Sequence, residues 1–276
     1  MPGFLSSLFS KAPVEIRTNE KSDHNEKIMT TDVVNIVLSF VDSLAMMKAC
    51  PRICRQWYGC VSNRILSLDL TNQVMNNNKI KSLSVHPFSP NITTLILDGI
   101  NLDKKGLKII CSGWTNNVTT LSLADNKIGR KLSLIANCSS LSKVTDLNLK
   151  GNEIDSVAIE ALCASSYLTK LEKLNLENNM LHITGLRIIC RCSNMKTLTD
   201  LNVANIDNII PFSLFQPQSI LAIAASDYLP DFASVVSKSE NMSNLTRLKI
   251  SGLDDGDIEL LRKSEHLSKL KELVVV

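Results

Sequence analysis

A block of 26 to 27 residues that returns along most of the chain is the feature that most limits how these 276 residues can fold. Aligned on one leucine, three copies read Val118-Thr-Thr-Leu121-Ser-Leu123-Ala-Asp-Asn126-Lys-Ile128, Val144-Thr-Asp-Leu147-Asn-Leu149-Lys-Gly-Asn152-Glu-Ile154 and Leu171-Glu-Lys-Leu174-Asn-Leu176-Glu-Asn-Asn179-Met-Leu181. Weaker copies centre on Leu68, Leu95, Leu201, Leu221, Leu248 and Leu273. Successive anchors stand 27, 26, 26, 27, 27, 20, 27 and 25 residues apart, which predicts nine turns. A fixed period of this length marks stacked supersecondary units, none of which buries its apolar face alone. Alternation across Leu121 and Leu123 predicts a short strand with one buried face. The Asn five places past the anchor turns the chain off the strand, and its buried amide is placed to bond backbone groups of neighbouring turns. A helix then follows, because Leu107, Ile110 and Cys111, Ile159, Leu162 and Cys163, and Leu186, Ile189 and Cys190 keep i, i+3, i+4 spacing.

These copies resemble the LxxLxLxxNxL pattern of leucine-rich repeats. The resemblance implies an α/β solenoid with parallel strands on the concave face and helices on the convex face, and the period suits the ribonuclease-inhibitor-like type. In the weak copies the Asn column is Gln73, Ile100, Ile206, Ser226 and Leu253, so the amide ladder is expected through the middle three turns only. Pro211 and Pro217 in the short 20-residue interval predict an irregular loop near residues 205–219.

Composition narrows the function classes. Thirty basic residues against 27 acidic leave a net charge of +3, which provides no large uniform field to draw in nucleic acid or anionic lipid. No stretch approaches the roughly 20 apolar residues of a membrane-spanning helix. The opening MPGFLSSLFSKAP lacks a basic n-region and its apolar run is broken by serines, which argues for a cytoplasmic or nuclear protein rather than a secreted one. Residues 1–27 read as a disordered leader.

Between leader and repeats lies a helical piece of different character, residues 28–62. Val34, Val37, Leu38 and Val41 fall on one helical face, with Thr31 or Asp32 at its start. Pro51 then opens a second stretch carrying Ile53, Trp57 and Val61 at i, i+4, i+8. This segment resembles an F-box: the family's "ILSFL" helix falls without gaps on Met29 to Val41, and its "VCRxW" falls on Ile53, Cys54, Arg55, Gln56 and Trp57. Where the family has an early proline this chain has Thr30, and where it has the flanking leucine this chain has Met29. The resemblance implies a substrate receptor of a cullin-type ubiquitin ligase. Met29, Val33, Val34, Val37, Leu38, Ile53, Cys54 and Trp57 would dock the Skp adaptor, and the repeats would hold the protein to be ubiquitylated. A plain scaffold or inhibitor, with the same helices acting only as a solenoid cap, is the alternative. A regulator resembling the Ran GTPase activator, with Arg130 as its loop arginine, is a weaker third.

No enzymatic centre, cofactor or metal site is expected. Cys111, Cys163 and Cys190 stand 16 residues past their anchors and Cys138 stands 17, a once-per-turn column read as small buried thiols, because helices 8–10 Å apart suit a disulfide poorly. His24, His86, His182 and His266 are scattered, and the sequons at Asn91, Asn117, Asn137, Asn241 and Asn244 read as chance. The outward strand positions are left as the binding surface. A target protein is expected on Ser122, Asp146, Asn148, Lys173, Asn175, Asp200, Asn202 and Lys249. The segment holding Leu270, Leu273, Val275 and Val276 is expected to add a last strand with an apolar edge.

Overall fold

The computed structural model describes residues 59–61, 64–206 and 232–276. Eight short strands form one parallel sheet in chain order: β1 Leu66–Asp69, β2 Ile92–Ile96, β3 Thr120–Ser122, β4 Asp146–Asn148, β5 Lys173–Asn175, β6 Asp200–Val203, β7 Arg247–Ile250 and β8 Glu272–Val275. The repeat anchors set the register, with Leu68, Leu95, Leu121, Leu147, Leu174, Leu201, Leu248 and Leu273 side by side across the sheet. All but Leu273 are buried, so the expected inward face is the observed one.

Among the described residues seven helices cover that face: α1 Asn77–Ser84, α2 Lys104–Ile110, α3 Leu132–Ala136, α4 Ser156–Cys163, α5 His182–Arg191, α6 Phe232–Ser237 and α7 Asp255–Arg262, each packed on the next. Four start on a side-chain cap, Asn76, Asp103, Asp155 and Asp254 each accepting the N–H of the residue three places on. The predicted stripes are inside, with Leu107, Ile110, Ile159, Leu162, Leu186 and Ile189 fully buried. Packed helices need 8–10 Å per turn whereas paired strands need about 4.8 Å, so the stack bends and the bare sheet face becomes the concave one.

Two columns hold the turns together. Asn126, Asn152 and Asn179 are buried, as expected. The Asn152 amide nitrogen donates to the carbonyls of Leu123 at 2.8 Å and Leu149 at 3.0 Å, while its oxygen accepts the backbone N–H of Asn126 at 3.0 Å and Ile128 at 3.2 Å. Asn179 repeats the pattern one turn on, accepting from Asn152 and Ile154 at 3.0 Å each. The second column lies one residue earlier. Asn72, Gly99, Asp125, Gly151, Asn178, Asn205 and Gly252, each four places past an anchor, all have φ between +52° and +74°. This is the left-handed region, open to Gly and tolerated best by Asn and Asp. The chain therefore leaves the strand at this position, and the following Asn ties the bend to its neighbours.

The architecture departs from the sequence expectation in turn number. Leu201 of β6 pairs directly with Leu248 of β7, so no strand centred on Leu221 lies between them and the sheet has eight strands rather than nine. The intervals of 20 and 27 residues join into one turn of 47, which carries α6. Leu221-Ala-Ile223 reproduces the aliphatic alternation of an anchor without the Asn that ties an anchor into the stack. Residues 207–231, which hold that segment and most of the loop expected at 205–219, lie outside the described residues. At the far end β8 forms as expected and occupies an edge of the sheet, with Val275 40% and Val276 60% exposed.

Candidate functional site

The concave face is built by the side chains that alternate with the buried anchors. One column, Asp69, Ile96, Ser122, Asn148, Asn175, Asn202, Lys249 and Val274, runs along the middle of the sheet in register. A flanking column two residues earlier reads Ser67, Thr94, Thr120, Asp146, Lys173, Asp200, Arg247 and Glu272. The parallel pairing thus brings the whole expected target-binding set, Ser122, Asp146, Asn148, Lys173, Asn175, Asp200, Asn202 and Lys249, onto one face. Exposure differs within it: Ser122 is 7% exposed, Lys173 is open to solvent, and the others lie between.

These side chains do not act singly. Asp98 accepts the Ser122 hydroxyl at 2.6 Å and the Ala124 N–H at 2.8 Å. Ser122 in turn accepts the Asn148 amide at 2.9 Å. The three amides are oriented by one repeated local bond, in which Asn148, Asn175 and Asn202 accept the N–H of Lys150, Glu177 and Ala204, each two residues on. Glu177 closes the network. Its Oε1 accepts Lys150 Nζ at 3.0 Å, and its Oε2 accepts Asn202 Nδ2 at 2.8 Å and Lys249 Nζ at 2.9 Å. One carboxylate therefore ties together four consecutive strand segments, from β4 to β7. Burial alone would raise the Glu177 pKa, but the hydrogen bonds from Lys249, Asn202 and Lys150 outweigh it and hold the carboxyl down at about 2.

Along the flank the charges alternate. Lys173 faces Asp146 at 3.8 Å, and Arg247 is shared between Asp200 at 3.4 Å and Glu272 at 3.0 Å. Burial raises the Asp146 pKa, Lys173 offsets this in part, and the nearby Asp200 charge adds to it. The face is thus charge-balanced through its second half. At its centre Asn175 points its amide oxygen back to the sheet at 3.0 Å and, among the described residues, its amide nitrogen makes no hydrogen bond. The surface offers a rigid array of oriented hydrogen-bond donors and paired ions, the means of recognising a polar surface.

Glu177 was not among the expected site residues. The available signal was its place three positions past the anchor Leu174, where Asp98 and Lys150 also stand past theirs. The expected adaptor-binding residues Met29, Val33, Val34, Val37, Leu38, Ile53, Cys54 and Trp57 lie outside the described residues. Arg130, the arginine of the third reading, donates from Nε to Asp155 at 2.8 Å, the residue that caps α4. That contact is an inter-turn tie. The sequon asparagines are ties as well: the side-chain nitrogens of Asn91, Asn117, Asn241 and Asn244 donate to carbonyls of the preceding turn or segment, and that of Asn137 donates within its own helix.

Fold and face together define an α/β solenoid of repeated strand–helix turns with an open, internally bonded polar sheet. No protein-family model and no curated protein matches the chain. Among solved structures it is similar to the tropomodulin C-terminal domain from Caenorhabditis elegans, at 13% identity and a TM-score of 0.37, over 71% of this chain and 93% of that one. It is also similar to the leiomodin-1 actin-binding site 2, at 14% identity and a TM-score of 0.34, over 70% of this chain and 86% of that one. Among the described residues no helix is long and apolar enough to cross a membrane.

Proposed function

We propose that this chain is a non-enzymatic recognition subunit: its concave face holds a protein target, and its segment 28–62 docks the Skp adaptor of a cullin-type ubiquitin ligase. The observation that carries the first half is the open face of eight strands in register, polar along its middle column from Ser122 to Lys249. At about 4.8 Å per strand it runs roughly 34 Å, enough for a standard interface of about 800 Å² per partner. The charged groups of its second half are already paired with one another, so a partner does not have to desolvate lone ions there, and the oriented amides of Asn148, Asn175 and Asn202 supply direction. The second half rests on the F-box resemblance of Met29 to Val41 and Ile53 to Trp57.

A scaffold whose N-terminal piece serves only as a cap is the second reading, favoured by one contact. Val61 is fully buried in the first turn and its carbonyl accepts the Asn91 amide at 3.4 Å, as a cap requires. Adaptor binding separates the two. Full-length protein mixed with purified Skp adaptor is expected to elute as a 1:1 complex on size exclusion, and the Val37→Asp, Leu38→Asp double variant, verified as folded by circular dichroism, is expected to lose it. Absence of a complex at tens of micromolar would leave the cap reading standing and remove the receptor.

A further inference from the structure

The small net charge of +3 conceals a local excess on the convex side. Helix α1, helix α2 and the short turn Gly129–Lys131 that opens α3 carry two, three and two cations, and neither they nor α3 carry a carboxylate. The repeat register stacks these cations. Lys104 and Arg130 stand nine places past their anchors, Lys105 and Lys131 ten, and Lys81 and Lys108 thirteen. On packed helices this puts like charges on neighbouring turns roughly 8–10 Å apart. Lys131 is half-buried and the other five are exposed. Arg130 is taken by Asp155 at 2.8 Å. Lys81, Lys104, Lys105, Lys108 and Lys131 make no salt bridge or hydrogen bond among the described residues. Asp103, beside them, is engaged as the cap of α2, accepting the Gly106 N–H at 2.7 Å and the Asn77 amide at 3.0 Å. Local stability does not account for this placement, because Lys104 and Lys105 open α2 at the positive end of its dipole. Carboxylates suit that position, and α7 opens with Asp255 and Asp257. The excess stops at α4, which has Glu160 and no cation.

We infer that this convex patch, Lys81, Lys104, Lys105, Lys108 and Lys131, docks the chain on an anionic phospholipid surface, whatever the opposite, concave face holds. Three observations favour lipid over nucleic acid. The patch lies across a convex row of three helices, which a flat sheet of negative charge meets on all three turns. A duplex is itself convex and would meet the row only where the two cross. The unpaired cations are all lysines, point charges suited to dispersed headgroups. The one guanidinium in the row, which could read a base edge, is held by Asp155, and the large aromatic side chains of these turns, Phe88 and Trp114, are buried at 1% and 8% exposure, so no ring is offered for base stacking. Finally, an aliphatic side chain borders the lysines. Val85 is 73% exposed and sits one helical turn past Lys81, its N–H donating to the Lys81 carbonyl at 3.2 Å. An apolar group beside a lysine cluster is what enters the headgroup region once the charges have drawn the protein in. Each lysine adds to the attraction, and the attraction is screened within about 8–10 Å at physiological salt.

The test is sedimentation of the full chain with vesicles of two parts phosphatidylcholine to one part phosphatidylserine, against vesicles of phosphatidylcholine alone, with binding to a short DNA duplex measured in the same buffer. Wild-type protein is expected to bind the mixed vesicles, to leave the neutral ones in solution, and to be released as salt is raised. The variant Lys104→Gln, Lys105→Gln, Lys108→Gln is expected to bind the mixed vesicles at least tenfold more weakly. A control of equal charge change on exposed lysines of later turns, Lys196→Gln, Lys238→Gln, Lys271→Gln, is expected to stay within about twofold of wild type. If the α2 variant misfolds, Lys81→Gln with Lys131→Gln on the flanking helices makes the same comparison. No binding to the mixed vesicles, equal binding to the neutral ones, or equal losses in patch and control variants would overturn the assignment. Tighter binding to the duplex, lost in the patch variant, would overturn it in favour of a nucleic acid.

Discussion

Replacing Glu177 by Gln isolates the charge that joins β4, β5, β6 and β7. In the folded protein the carboxyl sits at about 2 against 4.5 for an unperturbed glutamate. At about 1.4 kcal/mol for each tenfold change in acidity this is about 3 kcal/mol, and screening by solvent at the open face reduces it to about 1–2 kcal/mol. Because the folded value lies below the unfolded one, this stabilisation is complete above pH 4.5 and is lost as the pH falls toward 2. The Gln variant keeps the size and an acceptor oxygen but leaves Lys150 and Lys249 without their anion. Urea unfolding followed by circular dichroism should show Glu177→Gln less stable at pH 7 by about 1–2 kcal/mol, with the gap closing as both proteins are taken to pH 2. A gap of the same size at pH 2, or none at pH 7, would refute the reasoning.

The other expectations concern the stack and its turn count. Asn152→Ala should cost about 2–5 kcal/mol in urea unfolding, since it strands the Asn126 and Ile128 N–H groups in a dry interior, while the Leu123 and Leu149 carbonyls keep the amides of Asn126 and Asn179; a loss under about 1 kcal/mol would show that the ladder is not a main tie. Asp200→Cys with Arg247→Cys should cross-link under mild oxidation, because the two stand opposite each other on adjacent strands about 4.8 Å apart. A ninth strand between them would double that distance and abolish the link.

The parts of the fold that recur were legible because recurrence repeats the same physical requirement. Leu121, Leu147 and Leu174 had to be buried together or not at all, and Asn126, Asn152 and Asn179 had to find partners once the turns stacked. The left-handed column was present as the series Asn72, Gly99, Asp125, Gly151, Asn178, Asn205, Gly252 and went unread, although these are the residue types that a positive φ selects. Leu221 misled because aliphatic alternation alone does not say whether a segment lies in the sheet. That error shifted the expected neighbours of β6 and hid the Glu177 network, which needs Lys249 two strands from Glu177.

The central claim is that a protein partner is held on the concave face, and the most direct measurement is the affinity of a partner captured with the full chain for two arginine variants. Asn175→Arg places a bulky cation at the centre of the face, whereas Glu160→Arg places one on the exposed surface of α4. The account predicts at least a tenfold weaker Kd for Asn175→Arg, about 1.4 kcal/mol, with unchanged melting and wild-type affinity for Glu160→Arg. Loss of binding on Glu160→Arg with none on Asn175→Arg would contradict it.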